Sequence, residues 1–241
     1  MPVFGLIAAM PEEVSHLRSS LDGELAHHYA GIEFYTGMLT TGTGGGVPVV
    51  LAQSGIGKVN AALTTQLIID RFSVSLVINS GSAGGLGEGQ SIGDFVIASR
   101  LCHHDIDVTL LGLAPGELPC LPRYFSVRRE FVCALNKLAR RAGIPHHIGT
   151  IASGESFVYR PQQVAYIKRN FDEVIACEME AAAVAQVCHL NGVGVVVIRG
   201  LSDIAGAGAE VNFEQYLQLA SARSARLVRD FVGYCQEKSI I

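Results

Sequence analysis

Short apolar runs rich in valine and isoleucine alternate with segments of helical periodicity along most of the chain. We predict strands at Val3–Ala9, Ile32–Leu39, Val47–Gln53, Ser75–Asn79, Asp94–Ser99, His147–Ala152, Val174–Ala176 and Gly194–Ile198. We predict helices at Pro11–Ser20, Lys58–Arg71, Val127–Ala142, Pro161–Asn170, Met179–Asn191 and Phe213–Glu237. Strands that are apolar on both faces are typical of a sheet covered by helices on both sides. The alternation therefore predicts a three-layer α/β/α fold around a largely parallel sheet.

The stretch from Phe34 to Gln53 departs from this alternation. Two strand patterns follow each other there, joined by the glycine-rich turn TTGTGGGVP. A connection this short joins antiparallel neighbours, so the central sheet should be mixed. No linker, repeat or low-complexity block divides the chain, and we expect residues 1–241 to form a single domain.

Charge and cysteine usage exclude several classes of protein. The 241 residues contain 18 Lys+Arg and 22 Asp+Glu, a formal net charge of −4, without a basic run suited to nucleic acid. No uncharged apolar stretch reaches the roughly 18 residues that a membrane span needs. The six cysteines form no CxxC pair, which argues against zinc-ribbon and thioredoxin-like proteins and favours a reducing compartment. We expect a cytoplasmic protein with neither nucleic acid nor membrane as a partner.

Polar residues follow five of the predicted strands directly. The segments are AMPEEV, GSAGG, SGESF, CEMEA and RGLSD, after the first, fourth, sixth, seventh and eighth strands. In an open α/β sheet, ligands bind just beyond the carboxyl ends of the strands. We therefore expect the five segments to line one rim of the sheet and to form an active site there.

The residue types of this rim suit acid–base catalysis on a polar ligand. Carboxylates such as Glu13, Glu180 and Asp203 can act as general acid or base, or accept hydrogen bonds from sugar hydroxyls. Phe157 can stack on a heterocycle. Ordinary alternatives stay open: an acid at a helix start, a turn aspartate, a core phenylalanine. Glu178 and Glu180 should point about 200° apart on a regular helix, so only one of them would face a ligand.

Two further motifs have no clear role in such a site. GIGK at 55–58 differs from a phosphate-binding loop, because Ala52 replaces its first glycine and Val59 replaces its serine or threonine. HHDID, His103–Asp107, has a metal-like composition, but the additional ligands of a zinc site cannot be placed. We interpret it as a polar loop or a subunit contact.

Together, AMPEEV, SGIGKVNAA, NSGSAGG, SGESF, CEMEAAAVA and RGLSD resemble the motifs of the 5′-methylthioadenosine/S-adenosylhomocysteine nucleosidases, which belong to the nucleoside phosphorylase fold family. The order and spacing are compatible from about residue 3 to the last helix. GSAGG and EMEA mark the wider fold family, whereas the N-terminal acid pair followed by RGLSD narrows it to the nucleosidases. The resemblance implies a homodimeric hydrolase that converts these nucleosides to adenine and the 5′-thioribose without metal or organic cofactor.

The resemblance also implies roles for individual residues. Glu13 would activate the attacking water, and Asp203, with Ser202 beside it, would protonate N7 of the adenine leaving group. Contacts are implied to the ribose or water from Glu180, Met179, Arg199 and Ser82, to adenine from Phe157, Val158 and Gly84, and to the 5′-thio substituent from Ile56 and Phe213.

The chain departs from the family pattern in two places. The stretch VTLLGLAPGELP, which borders the 5′ pocket, has Leu111 and Leu113 where the family often carries aromatics, and Glu155 stands where aspartate is more usual. The preferred 5′ substituent therefore stays open, as does hydrolysis of an aminodeoxyfutalosine-like nucleoside. A phosphate-dependent nucleoside phosphorylase and a non-catalytic nucleoside-binding protein are further alternatives, although Glu12 and Glu13 would repel phosphate.

Overall fold

The computed structural model describes residues 3–42, 45–206 and 213–240, with only the backbone described for 213–220. Its strands are β1 (Phe4–Ala8), β2 (Leu21–Tyr29), β3 (Ile32–Thr40), β4 (Gly46–Gln53), β5 (Leu76–Gly85), β6 (Phe95–His103), β7 (Phe125–Ser126), β8 (His146–Ser153), β9 (Val174–Glu178) and β10 (Gly194–Ile204). Its α-helices are α1 (Pro11–Arg18), α2 (Lys58–Phe72), α3 (Arg129–Arg141), α4 (Pro161–Asn170), α5 (Ala181–Asn191) and α6 (Phe213–Lys238).

The strands form one mixed sheet, and the predicted α/β class is confirmed. β1 pairs in parallel with β4 and β5, while β3 and β4 form the predicted antiparallel hairpin. α2 packs beside α5, and α6 packs beside α1 and α3. Buried apolar residues of these helices join those of the strands in one large core. Because helices cover both faces of these strands, their sequences are almost continuously apolar.

One end of the sheet closes on itself. β10 pairs in parallel with β5 and antiparallel with β6, and β6, β8, β9 and β5 are linked in turn by further pairings. The carboxyl ends of β5, β9 and β10 therefore meet around a small enclosed space. This arrangement places the polar segments of those strands opposite one another.

The edge strand β2 was absent from our prediction. Its sequence, LDGELAHHY, has no apolar alternation, and most of its residues are exposed. It pairs antiparallel with β3, so its backbone hydrogen bonds rather than a buried face hold it in the sheet. Periodicity detects a buried face, which this strand does not have.

Several strands extend further than predicted, and for β5 and β10 the extension corrects the placement of two motifs. β5 runs to Gly85 and β10 to Ile204, in parallel register along each other. GSAGG and RGLSD therefore belong to the ends of strands instead of following them. Their small residues are weak strand formers, but each strand supplies the backbone hydrogen-bond partners of the other.

Within the described residues, no helix is long and apolar enough to cross a membrane.

Candidate active site

A cavity lies at the closed end of the sheet, where about 620 Å³ of space, open solvent included, is free of protein atoms. All five predicted segments contribute to it. The predicted site residues that line it are Glu13, Ile56, Ser82, Gly84, Phe157, Val158, Met179, Glu180, Arg199, Ser202 and Asp203. Phe213 begins α6, and its side chain lies outside the described residues.

Several wall residues were missed by the sequence reasoning. They are Ala9, Met10, Ala83, Ser156, Cys177 and Glu178. All except Glu178 are small or uncharged neighbours of predicted residues, and nothing in their identity distinguishes them from core positions. Glu178 is the exception, a charged residue for which the sequence predicts no definite role.

Glu13 is held rigidly at the start of α1. One oxygen, Oε2, accepts hydrogen bonds of 3.0 Å from the backbone N–H groups of both Ala9 and Met10. The other, Oε1, accepts the Ser82 N–H at 3.0 Å and the Ser82 hydroxyl at 3.3 Å. These donors fix the plane of the buried carboxylate. Its neighbour Glu12 is not among the residues that line the cavity.

A β-bulge places Ser202 and Asp203 in the same cavity. The register between β10 and β5 shifts between Leu201 and Asp203, so that Ser202 is the extra residue. Successive residues of a regular strand point to opposite faces, and a bulge re-aims one of them. The Ser202 hydroxyl donates to Asp203 Oδ1 at 2.9 Å. The sequence contains no signal for this bulge.

Asp203 is buried, and its second carboxylate oxygen is available to a ligand. Oδ2 has no hydrogen-bond partner among the described residues. Burial raises the pKa of Asp203 above its ordinary value, against the opposing hydrogen bond from Ser202. A Cβ at Gly84 would lie 3.1 Å from Oδ2, which is closer than an ordinary van der Waals contact, so glycine leaves Asp203 more room. A buried carboxyl group beside a cavity, with its pKa raised by burial, is suited to general-acid catalysis.

Arg199 joins the two glutamates of CEMEA. Its buried guanidinium donates to Asn79 Oδ1 at 2.6 Å, pairs with Glu178, and lies 3.5 Å from Glu180 Oε2. Gly81 accommodates this crowding, since a Cβ there would lie 2.2 Å from Arg199 Nη1 and 2.9 Å from Glu13 Oε1. Two carboxylates therefore contact one guanidinium, and Gly81 separates it from Glu13.

The expectation that only one of Glu178 and Glu180 faces the site was wrong. It assumed a helix from Met179, but α5 begins at Ala181, Glu178 ends β9, and Glu180 is the residue before the first helical one. Both carboxylates therefore line the cavity. Glu178 accepts the backbone N–H groups of Glu180 and Ala181 at 3.0 and 2.9 Å and the hydroxyl of Ser153. It supports the helix start and holds Arg199.

Glu180 is a carboxylate whose pKa lies near neutral pH. Its Oε1 accepts the Gly57 N–H at 2.9 Å. Burial, and next the negative charge of Glu178, raise the pKa of Glu180 to about 7, while Arg199 opposes the shift. Donors from a ligand, such as sugar hydroxyls, would stabilise the ionised form.

We expect Glu180→Gln to change the pH dependence of stability. The folded pKa exceeds the unfolded one, so the folded state binds more protons, and stability falls as pH rises from about 4.5 to about 7. Glutamine cannot ionise. The unfolding free energy of Glu180→Gln, relative to wild type, should therefore increase by on the order of 2 kcal/mol between pH 5 and pH 8. Denaturant unfolding of both proteins at pH 5 and pH 8 measures this difference. The same change in unfolding free energy between the two pH values for both proteins would contradict the prediction.

One side of the cavity is more exposed. Phe157, in the loop after β8, is 45% exposed, and Ile56, before α2, is 55% exposed, whereas Val158 is buried. Within the described parts of the chain, no group of three or more His, Cys, Asp or Glu residues is arranged to hold a metal ion. The HHDID segment contacts other protein groups: Asp105 pairs with Lys58 at 2.6 Å, and His103 Nε2 lies 2.9 Å from Gln186 Oε1.

Known proteins share this fold and sequence. The sequence profile of the phosphorylase superfamily matches residues 3–233. A 5′-methylthioadenosine/S-adenosylhomocysteine nucleosidase of Geobacillus thermodenitrificans is 45% identical over 97% of this chain and 98% of its own. The nucleosidase of that name from Neisseria meningitidis, solved with methylthio-immucillin-A, is 41% identical with a TM-score of 0.92, covering 97% of this chain and 100% of its own.

A second activity occurs among the structural relatives. A futalosine hydrolase of Helicobacter pylori is 29% identical with a TM-score of 0.90, covering 97% of this chain and 98% of its own. The match over nearly the whole chain and the higher identity to the first group are decisive for classification. The chain belongs to the phosphorylase superfamily and, within it, to the family of the 5′-methylthioadenosine/S-adenosylhomocysteine nucleosidases.

Proposed function

We propose that the protein hydrolyses the N-glycosidic bond of 5′-methylthioadenosine and S-adenosylhomocysteine, releasing adenine and the 5′-thioribose. The observation that carries the proposal is that Asp203 and Glu13 line the same cavity. The pKa of Asp203 is raised, and Glu13 is held rigidly by backbone N–H groups. The first can donate a proton and the second can accept one. The names of the relatives at 41–45% identity support the substrates.

The reaction assigns opposite tasks to these two residues. As the bond between C1′ and N9 breaks, its electron pair moves to adenine, and the proton of Asp203 passes to N7. Positive charge develops at C1′ and the ring oxygen, which nearby carboxylates stabilise. Water attacks C1′ and gives its proton to Glu13. The products are neutral adenine and a reducing sugar.

The remaining residues hold the substrate. Glu180 accepts hydrogen bonds from the ribose diol, with the Met179 backbone, Arg199 and Ser82 beside it. For adenine, we propose that Phe157 stacks on the base, the Val158 backbone reads its edge, Ser202 supports Asp203, and Gly84 leaves room for the ring. Ile56 and Phe213 complete the proposed 5′ pocket.

Charge favours water over phosphate as the nucleophile. Arg199 is the one cationic side chain among the described residues that line the cavity, and Glu178 and Glu180 already engage it. Phosphate would meet three carboxylates, which repel it. This argues for a hydrolase over a phosphorylase.

Turnover of a substrate panel in phosphate-free buffer tests the proposal. We expect adenine release from 5′-methylthioadenosine and S-adenosylhomocysteine, with adenosine and aminodeoxyfutalosine as comparisons for the 5′ substituent. Absence of adenine from both thionucleosides, with and without phosphate, would overturn it. Faster turnover of aminodeoxyfutalosine would favour the second candidate, which the similarity to the futalosine hydrolase supports.

We propose further that the protein is a cytoplasmic homodimer. All six cysteines are free thiols, in keeping with a reducing compartment. Leu110 is 98% exposed, and Val59 on α2 and Leu190 on the adjacent α5 are 76% and 64% exposed, which a second subunit would cover. Light scattering should give twice the 25.6 kDa mass of the chain, and a monomer at micromolar concentration would contradict the assembly.

A further inference from the structure

The first acid of HHDID, Asp105, uses both of its oxygens to join separate parts of the chain. Asp105 follows β6, and its Oδ1 pairs with Lys58 Nζ, at the start of α2, at 2.6 Å. Its Oδ2 accepts the backbone N–H of Glu155, in the loop after β8, at 2.9 Å. One carboxylate thus connects three segments that are distant in sequence.

A third bond closes these contacts into a ring. Glu155 Oε1 accepts the backbone N–H of Lys58 at 2.9 Å. Lys58 is the first residue of α2, where backbone N–H groups lack partners within the helix and favour negative charge. Asp105, Lys58 and Glu155 therefore hold one another through three charge-assisted hydrogen bonds, which are stronger than neutral ones. We call this set the Asp105 ring.

The Asp105 ring borders the proposed substrate site on two sides. Gly57, directly before Lys58, donates its N–H to Glu180 Oε1 at 2.9 Å. Phe157 lies two residues after Glu155 and lines the same cavity. Gly57 has a φ of +99°, and a Cβ there would lie 2.8 Å from Glu155 Oε2, so this close approach requires glycine. The ring therefore connects the proposed ribose acceptor with the proposed base-stacking loop.

The surroundings of the ring favour a fixed geometry. The Lys58 and Asp105 side chains are 16% and 27% exposed, so their ion pair is partly shielded from solvent, whereas Glu155 is exposed. The start of the loop after β8 also contacts His104. The His104 N–H donates to Ser153 O at 2.9 Å, and a Cβ at Gly154 would lie 2.3 Å from the His104 ring. The loop that carries Phe157 is thus anchored at its start by the HHDID segment.

We propose that Asp105 is a positioning residue that holds the Phe157 loop against the start of α2, so that the base-stacking and ribose-binding groups are aligned before substrate binds. The proposal rests on the proposed function for its kinetic consequence. In this role, HHDID acts within one subunit and needs neither a bound metal nor a contact with a second subunit.

Asp105→Asn tests the proposal in two independent ways. The amide keeps the size of the side chain but loses its charge and one acceptor. Because an alignment defect weakens ground state and transition state alike, KM for 5′-methylthioadenosine should rise about tenfold with kcat changed less than threefold. Lys58→Met, which leaves all backbone hydrogen bonds of the ring in place, should raise KM in the same direction.

The second measurement does not depend on turnover. The sequence contains no tryptophan, so Phe157→Trp introduces a single fluorescent reporter into the loop. In that background, Asp105→Asn should increase acrylamide quenching of the reporter at least twofold. The matched control is Glu24→Gln, which breaks the 2.7 Å Arg18–Glu24 ion pair, neither partner of which lines the cavity. This control should change neither KM nor quenching.

The outcomes separate this proposal from the proposed function. Unchanged KM and unchanged quenching in a folded Asp105→Asn protein would overturn the positioning role and leave hydrolysis intact. A lowered unfolding midpoint with unchanged quenching would also overturn it, since the ring would then only stabilise the fold. Absence of turnover in wild type would instead refute the proposed function, and the quenching result would still decide the role of Asp105.

Discussion

Asp203→Asn should lower kcat for 5′-methylthioadenosine by about 10³-fold, within the range that general-acid catalysis contributes. The asparagine side chain has the same shape and can still donate a hydrogen bond to N7, but it cannot transfer a proton. The unpartnered Oδ2 and the upward shift of the pKa of Asp203 by burial are the reasons to propose this residue as the proton donor. Affinity for adenine, measured by calorimetry, should change by less than about tenfold.

Ser202→Ala is the control for this prediction. It removes the 2.9 Å hydrogen bond to Asp203 and leaves the acid in place. That hydrogen bond opposes the rise in the pKa of Asp203. Its loss should therefore move the alkaline limb of the kcat–pH profile to higher pH. A loss of kcat smaller than tenfold in Asp203→Asn would remove Asp203 from the chemistry. Wild-type protein that binds adenine but never turns over would favour the non-catalytic alternative.

Glu13→Gln should produce a loss of similar size, about 10²–10⁴-fold in kcat, for a different reason. The amide cannot accept the proton of the attacking water. It also cannot match all of its neighbours, because the Ala9, Met10 and Ser82 N–H groups all donate to this carboxylate. An NH₂ group would face one of those donors, so a modest loss of stability should accompany the loss of turnover.

Glu12→Gln is the matched control for Glu13→Gln, because it changes the same residue type in the same helical turn. Glu12 does not line the cavity. We expect its kcat to stay within about threefold of wild type, because the variant leaves Glu13 and Asp203, the proposed base and acid, in place. Equal losses in the two variants would show that the charge of the α1 start, and not the position of Glu13, matters.

Much of the fold follows from the sequence because buried strands have a clear pattern. Near-continuous apolar runs such as Gly194–Ile198 predicted the positions of buried strands, and Pro161–Asn170 was predicted with its observed bounds. The exposed strand β2 was missed because its residues bury no continuous face. The ends of β5 and β10 were missed because pairing between distant segments, which local sequence does not report, extends them.

The candidate site was predictable as a set of segments but not as a geometry. Polar residues beyond strand ends identified where the cavity lies. The bulge at Ser202 and the start of α5 at Ala181 decide which side chains point into it, and both depend on tertiary contacts. The grouping of Glu178 and Glu180 around Arg199 could not be foreseen for this reason.

The most direct test of the account is the fate of the sugar when phosphate is present. Purified protein is incubated with 5′-methylthioadenosine in phosphate buffer, and the products are identified by ³¹P NMR, with adenine measured in parallel. The account predicts equimolar adenine and reducing thioribose, no sugar phosphate, and a rate equal to that in phosphate-free buffer. Formation of the sugar 1-phosphate, with adenine release that requires phosphate, would contradict it.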